Sequence, residues 1–135
     1  MKIGIVVSEY NYDITMMMLE RAKEHAEFLG VEVSEILKVP GTFEIPFGVN
    51  SLIKKGNVDG VVTLGTVIQG ETDHDDIIMQ NAARKIMDIS VETGIPVSLG
   101  ISGPGQTRLQ EEARIEGARS AVEAVVKMLK KGKKN

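Results

Sequence analysis

The stretch GTVIQGETDHDD, residues 65–76, holds the densest chemistry in the chain: His74, one of two histidines, stands among Glu71, Asp73, Asp75 and Asp76. A neutral imidazole takes or gives a proton near pH 7, so His74 fits a proton shuttle. It also fits a metal ligand, or a surface residue at the start of a helix. A metal site usually recruits more than one imidazole. The second histidine, His25 in ERAKEHAEFLG, falls on another helix with the pattern of a solvated face, so no metal is expected. Thr72 or Asp73 can cap the helix that follows and leave its first amides free for an anion. Asp75 and Asp76 read as acids that complement the helix dipole.

Three other stretches carry candidate residues: SEYN (8–11), PGTFE (40–44) and LGISGPGQ (99–106). Tyr10 and Phe43, two of five aromatics, lie in these loops and outside the periodic core positions. A flat ring at a rim can stack on a flat ligand or simply anchor its loop. Arg108 and Arg114 follow the Gly-Pro-Gly stretch, and either can neutralise a phosphate or sit solvated on a helix. The glycines fit neither G-x-G-x-x-G nor a G-K-[ST] loop, so dinucleotide binding is not expected.

The elements that must position these loops alternate. KIGIVV (2–7) is a short apolar, β-branched run, as in a strand covered on both faces. Ile14, Met18, Ala22, Ala26 and Leu29 then recur on one helical face, with Gly30 as the terminator. Strands are expected at 31–40, 58–68 and 95–101, with helices over IPFGVNSLIKKG and DDIIMQNAARKIMDIS. After a loop SGPGQ come one or two helices, with Ala118, Val122, Val125 and Leu129 on one face of the last. Alternating strands and helices predict an open four-stranded parallel sheet with helices on both faces. Ligands then bind where the βα loops converge beyond the strands' carboxyl ends. The helix over 75–90 carries one face of Ile78, Ala82, Ile86 and Ile89 and a second of Met79, Ala83 and Met87. The second face predicts cover by another subunit.

Composition narrows the class. The chain has 135 residues, 42% apolar and 26% charged, enough for one domain with a core. No run approaches the ~18 apolar residues of a membrane span, and MKIGIVVSEY is too weakly apolar for an export signal, so a soluble, cytoplasmic protein is expected. The absence of cysteine excludes disulfide and thiolate chemistry. A net charge of −3 gives no general attraction to nucleic acid; the basic tail, flexible from about residue 132, reads as a frayed helix end.

VPGTFEIPF, LGTVIQGETDHDD and ETGIPVSLGI, in this order and spacing, resemble the 6,7-dimethyl-8-ribityllumazine synthase family, particularly its archaeal branch, over Lys2 to about Met128. The resemblance implies a flavodoxin-like, three-layer αβα sandwich and a transferase of riboflavin biosynthesis. That enzyme condenses 5-amino-6-(D-ribitylamino)uracil with 3,4-dihydroxy-2-butanone 4-phosphate and needs no cofactor or metal. It also implies a homopentamer, in some members joined into an icosahedral shell, with active sites between subunits. Position by position, it gives His74 proton transfer and Tyr10 stacking on the pyrimidine. Thr42, Phe43 and Glu44 would hold the pyrimidine and ribityl groups, and Thr66, Val67 and Ile68 the uracil edge. Leu99 would come from the neighbouring subunit. Glu71, Thr72 and Arg114 would face the phosphate, with Arg108 a rival to Arg114 and Arg119 a further basic position. Gln69 and Leu99 depart from the commoner Arg and aromatic residues. Rival readings are an archaeal-type riboflavin synthase of the same fold, a non-enzymatic phosphate-ligand binding module and a structural shell protein.

Overall fold

The computed structural model describes residues 1–68, 70 and 74–132, with backbone alone at 104–106 and 111. Four strands alternate with helices: β1 Lys2–Ser8, α1 Tyr12–Phe28, β2 Glu32–Val39, α2 Ile45–Lys55, β3 Gly60–Ile68, α3 Asp75–Thr93 and β4 Val97–Gln106. Two helices close the chain, α4 Arg108–Ala113 and α5 Gly117–Gly132. All pairings are parallel, in the order β2-β1-β3-β4.

Strand periodicity divides the core. Ile3, Ile5 and Val7 of β1 join Val62 and Leu64 of β3 in packing against Ile14, Met18, Ala22 and Ala26 of α1 and Ala118, Val122 and Val125 of α5. On the opposite face, Val6 and Val61 pack with Ile45, Val49 and Leu52 of α2 and Ile86 and Ile89 of α3. The result is the expected three-layer sandwich. Helix α1 ends as its sequence predicts: Leu29 is the last half-helical residue and Gly30 takes φ 74°.

Three expectations need correction. SGPGQ is not a loop, because β4 continues through it. Thr66 pairs with Ser102 and Ile68 with Gln106, so β3 advances two residues while β4 advances four. The surplus is a bulge at Gly103, whose φ is 101° and where a Cβ would stand 2.2 Å from the Val67 carbonyl oxygen, so only glycine fits. Second, His25 is not on a solvated face. Its ring stacks on Phe28, and Nε2 lies 3.2 Å from Glu123 Oε1 on α5. Third, Asp75 does more than complement a helix dipole, as its contacts below show. The second face of α3 is open only in part in the single chain: Met79 packs against the α2/α3 core and Ala83 is half-buried, while Met87 and, one turn further on, Val91 are 61% and 79% exposed. No helix among the described residues is long and apolar enough to cross a membrane.

Candidate active site

The strand order reverses direction between β1 and β3, and in open α/β sheets the crevice beyond the strand ends at such a point is where ligands bind. Three connections meet there. The β1–α1 loop is tied to the end of β2 by Glu9 N–H donating to the Val39 carbonyl at 2.8 Å and Tyr10 N–H to the Pro40 carbonyl at 3.0 Å. Asn11 then takes φ 60°, the one positive-φ non-glycine residue described, and turns the chain into α1. After β2, Thr42–Glu44 form a single 3₁₀ turn leading into α2. This turn is closed reciprocally, with Glu44 N–H bonded to the Gly41 carbonyl at 3.1 Å and Gly41 N–H to Glu44 Oε1 at 2.9 Å.

These loops enclose a cavity of about 140 Å³. Five predicted residues line it: Tyr10, Thr42, Phe43, Thr66 and Val67. Tyr10 and Phe43 are 56% and 73% exposed, so their ring faces are available, while Thr42 and Thr66 are buried beneath. Gly41, Asp75 and Ile78 complete the lining and were not among the predicted residues. Gly41 was hidden as a turn signal, and Asp75 lay within an acidic run that reads as helix-start composition. Cavities that hold a drug-sized ligand measure roughly 300 to 1,000 Å³, so this one is too small for two joined rings by itself.

The other predicted residues fall into distinct places. Glu44 is half-buried beside the cavity and off its lining, with one carboxylate oxygen engaged by Gly41. Ile68 turns its side chain into the α1/α5 core, which leaves its backbone as the group facing the rim. His74 immediately precedes α3, exposed, with its carbonyl accepting from Ile78 N–H at 2.9 Å and its neighbour Asp75 on the cavity wall. Glu71, Thr72 and Gln69 lie outside the described residues.

Leu99 and Arg114 do not reach this cavity. They share a groove of about 340 Å³ with Met18, Ser102 and Gly103, and Leu99 also borders an apolar groove of about 560 Å³ with Ala83, Met87, Val91 and Val97. Both grooves follow β4, the sheet edge, which separates them from the β1/β3 crevice. Arg108 is bound to Asp13 at the start of α1 and lies 3.9 Å from Glu112, so its charge is already balanced. Arg119 pairs with Glu116 at 3.1 Å. Of these three arginines, Arg114 alone makes no ion pair among the described residues. No group of three or more His, Cys, Asp or Glu placed to hold a metal occurs among the described residues.

Taken together, the crevice offers two ring faces, buried hydroxyls, the backbone end of β3, a carboxylate and a nearby imidazole. Such a set suits a flat, hydrogen-bonding heterocycle and proton transfer on it. A family model described as 6,7-dimethyl-8-ribityllumazine synthase matches residues 1–133. Among curated relatives, a 6,7-dimethyl-8-ribityllumazine synthase of Picrophilus torridus is 61% identical, covering 99% of this chain and 98% of the relative. Proteins of the same name from Archaeoglobus fulgidus and Staphylothermus marinus are 58% and 56% identical, over 96% and 98% of this chain and 91% and 89% of their own lengths.

Proposed function

The chain belongs to the 6,7-dimethyl-8-ribityllumazine synthase family, and from that membership we propose that it condenses 5-amino-6-(D-ribitylamino)uracil with 3,4-dihydroxy-2-butanone 4-phosphate. The observation that carries this reading is the convergence of Tyr10, Thr42, Phe43, Thr66 and Val67, from two connections and the end of β3, on one crevice beside the start of α3.

The pyrimidine stacks on Tyr10 and Phe43, and its edge bonds to the backbone at Thr66–Ile68. The ribityl hydroxyls extend toward Thr42 and the free oxygen of Glu44. The substrate's amine attacks the ketone carbon, a proton passes to the departing oxygen, and water leaves as the imine forms. Loss of a proton beside the imine expels inorganic phosphate. The enol so formed gains a proton at its terminal carbon and loses its hydroxyl proton to become a ketone; the ribityl-bearing nitrogen then closes on this new carbonyl, and a second water leaves. His74, at the mouth, relays these protons. Holding two partners in register can supply ~7 to 11 kcal/mol, more than the roughly 10² to 10⁴-fold typical of one general acid–base group. Positioning therefore carries most of the rate.

The phosphate belongs away from the Asp75 carboxylate and near Arg114, together with the Glu71–Thr72 segment. Because Arg114 and Leu99 sit across β4 from the cavity, an adjacent copy supplies them: the protein works as a cytoplasmic homo-oligomer, a pentamer or a shell of pentamers. The small cavity volume and the open apolar face of Met87, Val91 and Leu99 support this arrangement. Mixing the purified protein with both substrates tests the reaction. Blue-green lumazine fluorescence should rise well above the no-enzyme rate, and a rate equal to that control would refute it.

A further inference from the structure

Resting on that function, we propose that Asp75 is a positioning residue that sets His74 against the end of β3. Asp75 is the first residue of α3, where a carboxylate ordinarily serves the amides of its own helix. Here Oδ2 accepts from Gly70 N–H at 3.0 Å, outside the helix. Gly70 adopts φ 86°, a conformation that suits glycine and turns its amide toward the acceptor. The bond is charge-assisted and so stronger than a neutral one. It joins the residue two positions beyond β3 to the first residue of α3, closing the connection that contains His74.

The same residue lines the cavity with Thr66 and Val67 of β3 and Ile78 of α3. One carboxylate thus spans the two elements whose relative placement decides whether His74 faces a substrate held at the strand end. Tyr10, Thr42 and Phe43 are positioned by other bonds, those of Glu9 and Tyr10 to the end of β2 and of Gly41 to Glu44. Loss of the Asp75 bond therefore acts chiefly on proton transfer and leaves the Tyr10, Thr42 and Phe43 side of the pyrimidine seat in place. A misplacement of about 1 Å at a reacting group can cost on the order of 10²-fold.

The test is a double-mutant cycle with full kinetics on the assembled enzyme. Asp75→Ala should lower kcat by roughly ten- to a hundredfold with KM for the pyrimidine within about twofold of the parent. Asp75→Asn, which keeps an acceptor for Gly70, should recover most of that loss. In a His74→Ala background, Asp75→Ala should change kcat by less than about twofold, because residues acting as a unit are non-additive. Multiplicative losses in the cycle, or a rise in KM with unchanged kcat, would overturn the proposal while leaving the reaction assignment standing. Absence of product from the unsubstituted protein would instead remove the assignment and the proposal together. Hydrogen exchange at the Gly70 amide is independent of turnover: protection should fall in Asp75→Ala and persist in Asp75→Asn, and an unprotected Gly70 in the parent overturns the proposal.

Discussion

Replacing Glu44 by alanine separates its two assigned duties. One carboxylate oxygen accepts from Gly41 N–H at 2.9 Å and closes the turn that presents Thr42 and Phe43 to the cavity. Removing it orphans a half-buried amide and costs about 1 to 2 kcal/mol, by analogy with loss of a helix cap. With an unfolding entropy of roughly 2.1 cal/mol/K per residue, the 135 residues give about 0.28 kcal/mol/K. The melting temperature should therefore drop by roughly 4 to 7 °C. The other oxygen is assigned to a ribityl hydroxyl, and a lost hydrogen bond to a charged group is worth about 1.5 to 3 kcal/mol. KM for the pyrimidine should then rise on the order of 10-fold or more, with a smaller change in kcat. Glu44→Gln keeps one acceptor oxygen, enough for Gly41 N–H, and puts an NH2 donor in place of the other, so it should fall between the parent and alanine in each measurement. Scanning calorimetry and steady-state fluorescence kinetics report the two duties separately. An unshifted melting temperature in Glu44→Ala would refute the loop-closing role, and a lowered one with unchanged KM would refute the ribityl contact.

Other outcomes follow from the same geometry. His74→Ala should reduce turnover by roughly 10² to 10⁴-fold while pyrimidine affinity, measured by equilibrium titration, stays near the parent value; parental turnover would exclude the proton relay. Arg114→Ala should raise KM for the phosphorylated ketone at least tenfold more than Arg108→Ala, on the order of one lost charge-assisted bond, because Arg108 is already committed to Asp13. Kinetics with the ketone varied decide this, and a larger effect from Arg108 would reverse the assignment. Glu35 is held below its ordinary value near 4.5 by hydrogen bonds from Lys55 and Asn57. A lowered folded-state value means the contribution is complete above the unfolded value and disappears as pH falls through the folded one. Glu35→Gln should accordingly flatten the decline in melting temperature below about pH 4.5, and an unchanged acid limb would show that the pair contributes nothing.

The layers of this fold were legible because local patterns and the global structure agree. KIGIVV could only be a strand covered on both sides, and the four-residue spacing from Ile14 to Ala26 fixed the buried face of α1. Gly-Pro-Gly misled because its composition signals a turn, whereas pairing with β3 turns the surplus into a bulge at Gly103. That bond pattern is non-local and leaves no mark in the stretch itself. His25 shows the same limit: its partner Glu123 is 98 residues away, on α5. At the site, ring type marked Tyr10 and Phe43, and the family resemblance added Thr42. Asp75 looked like one more acid at a helix start until its bond to Gly70 appeared. The separation of Leu99 and Arg114 from the cavity depends on β4 lying at the sheet edge, a matter of strand order that spacing along the chain does not encode.

The central claim is that one subunit presents Tyr10, Phe43 and His74 while an adjacent subunit supplies Leu99 and Arg114. Subunit complementation tests it most directly. His74→Ala and Arg114→Ala chains, each strongly impaired, are unfolded, mixed in equal amounts and reassembled. Random assembly in a ring gives each interface a probability of about one quarter of pairing an intact His74 with an intact Arg114, so the mixture should regain about a quarter of the parental activity. Activity no higher than the average of the two separate variants would contradict a shared site.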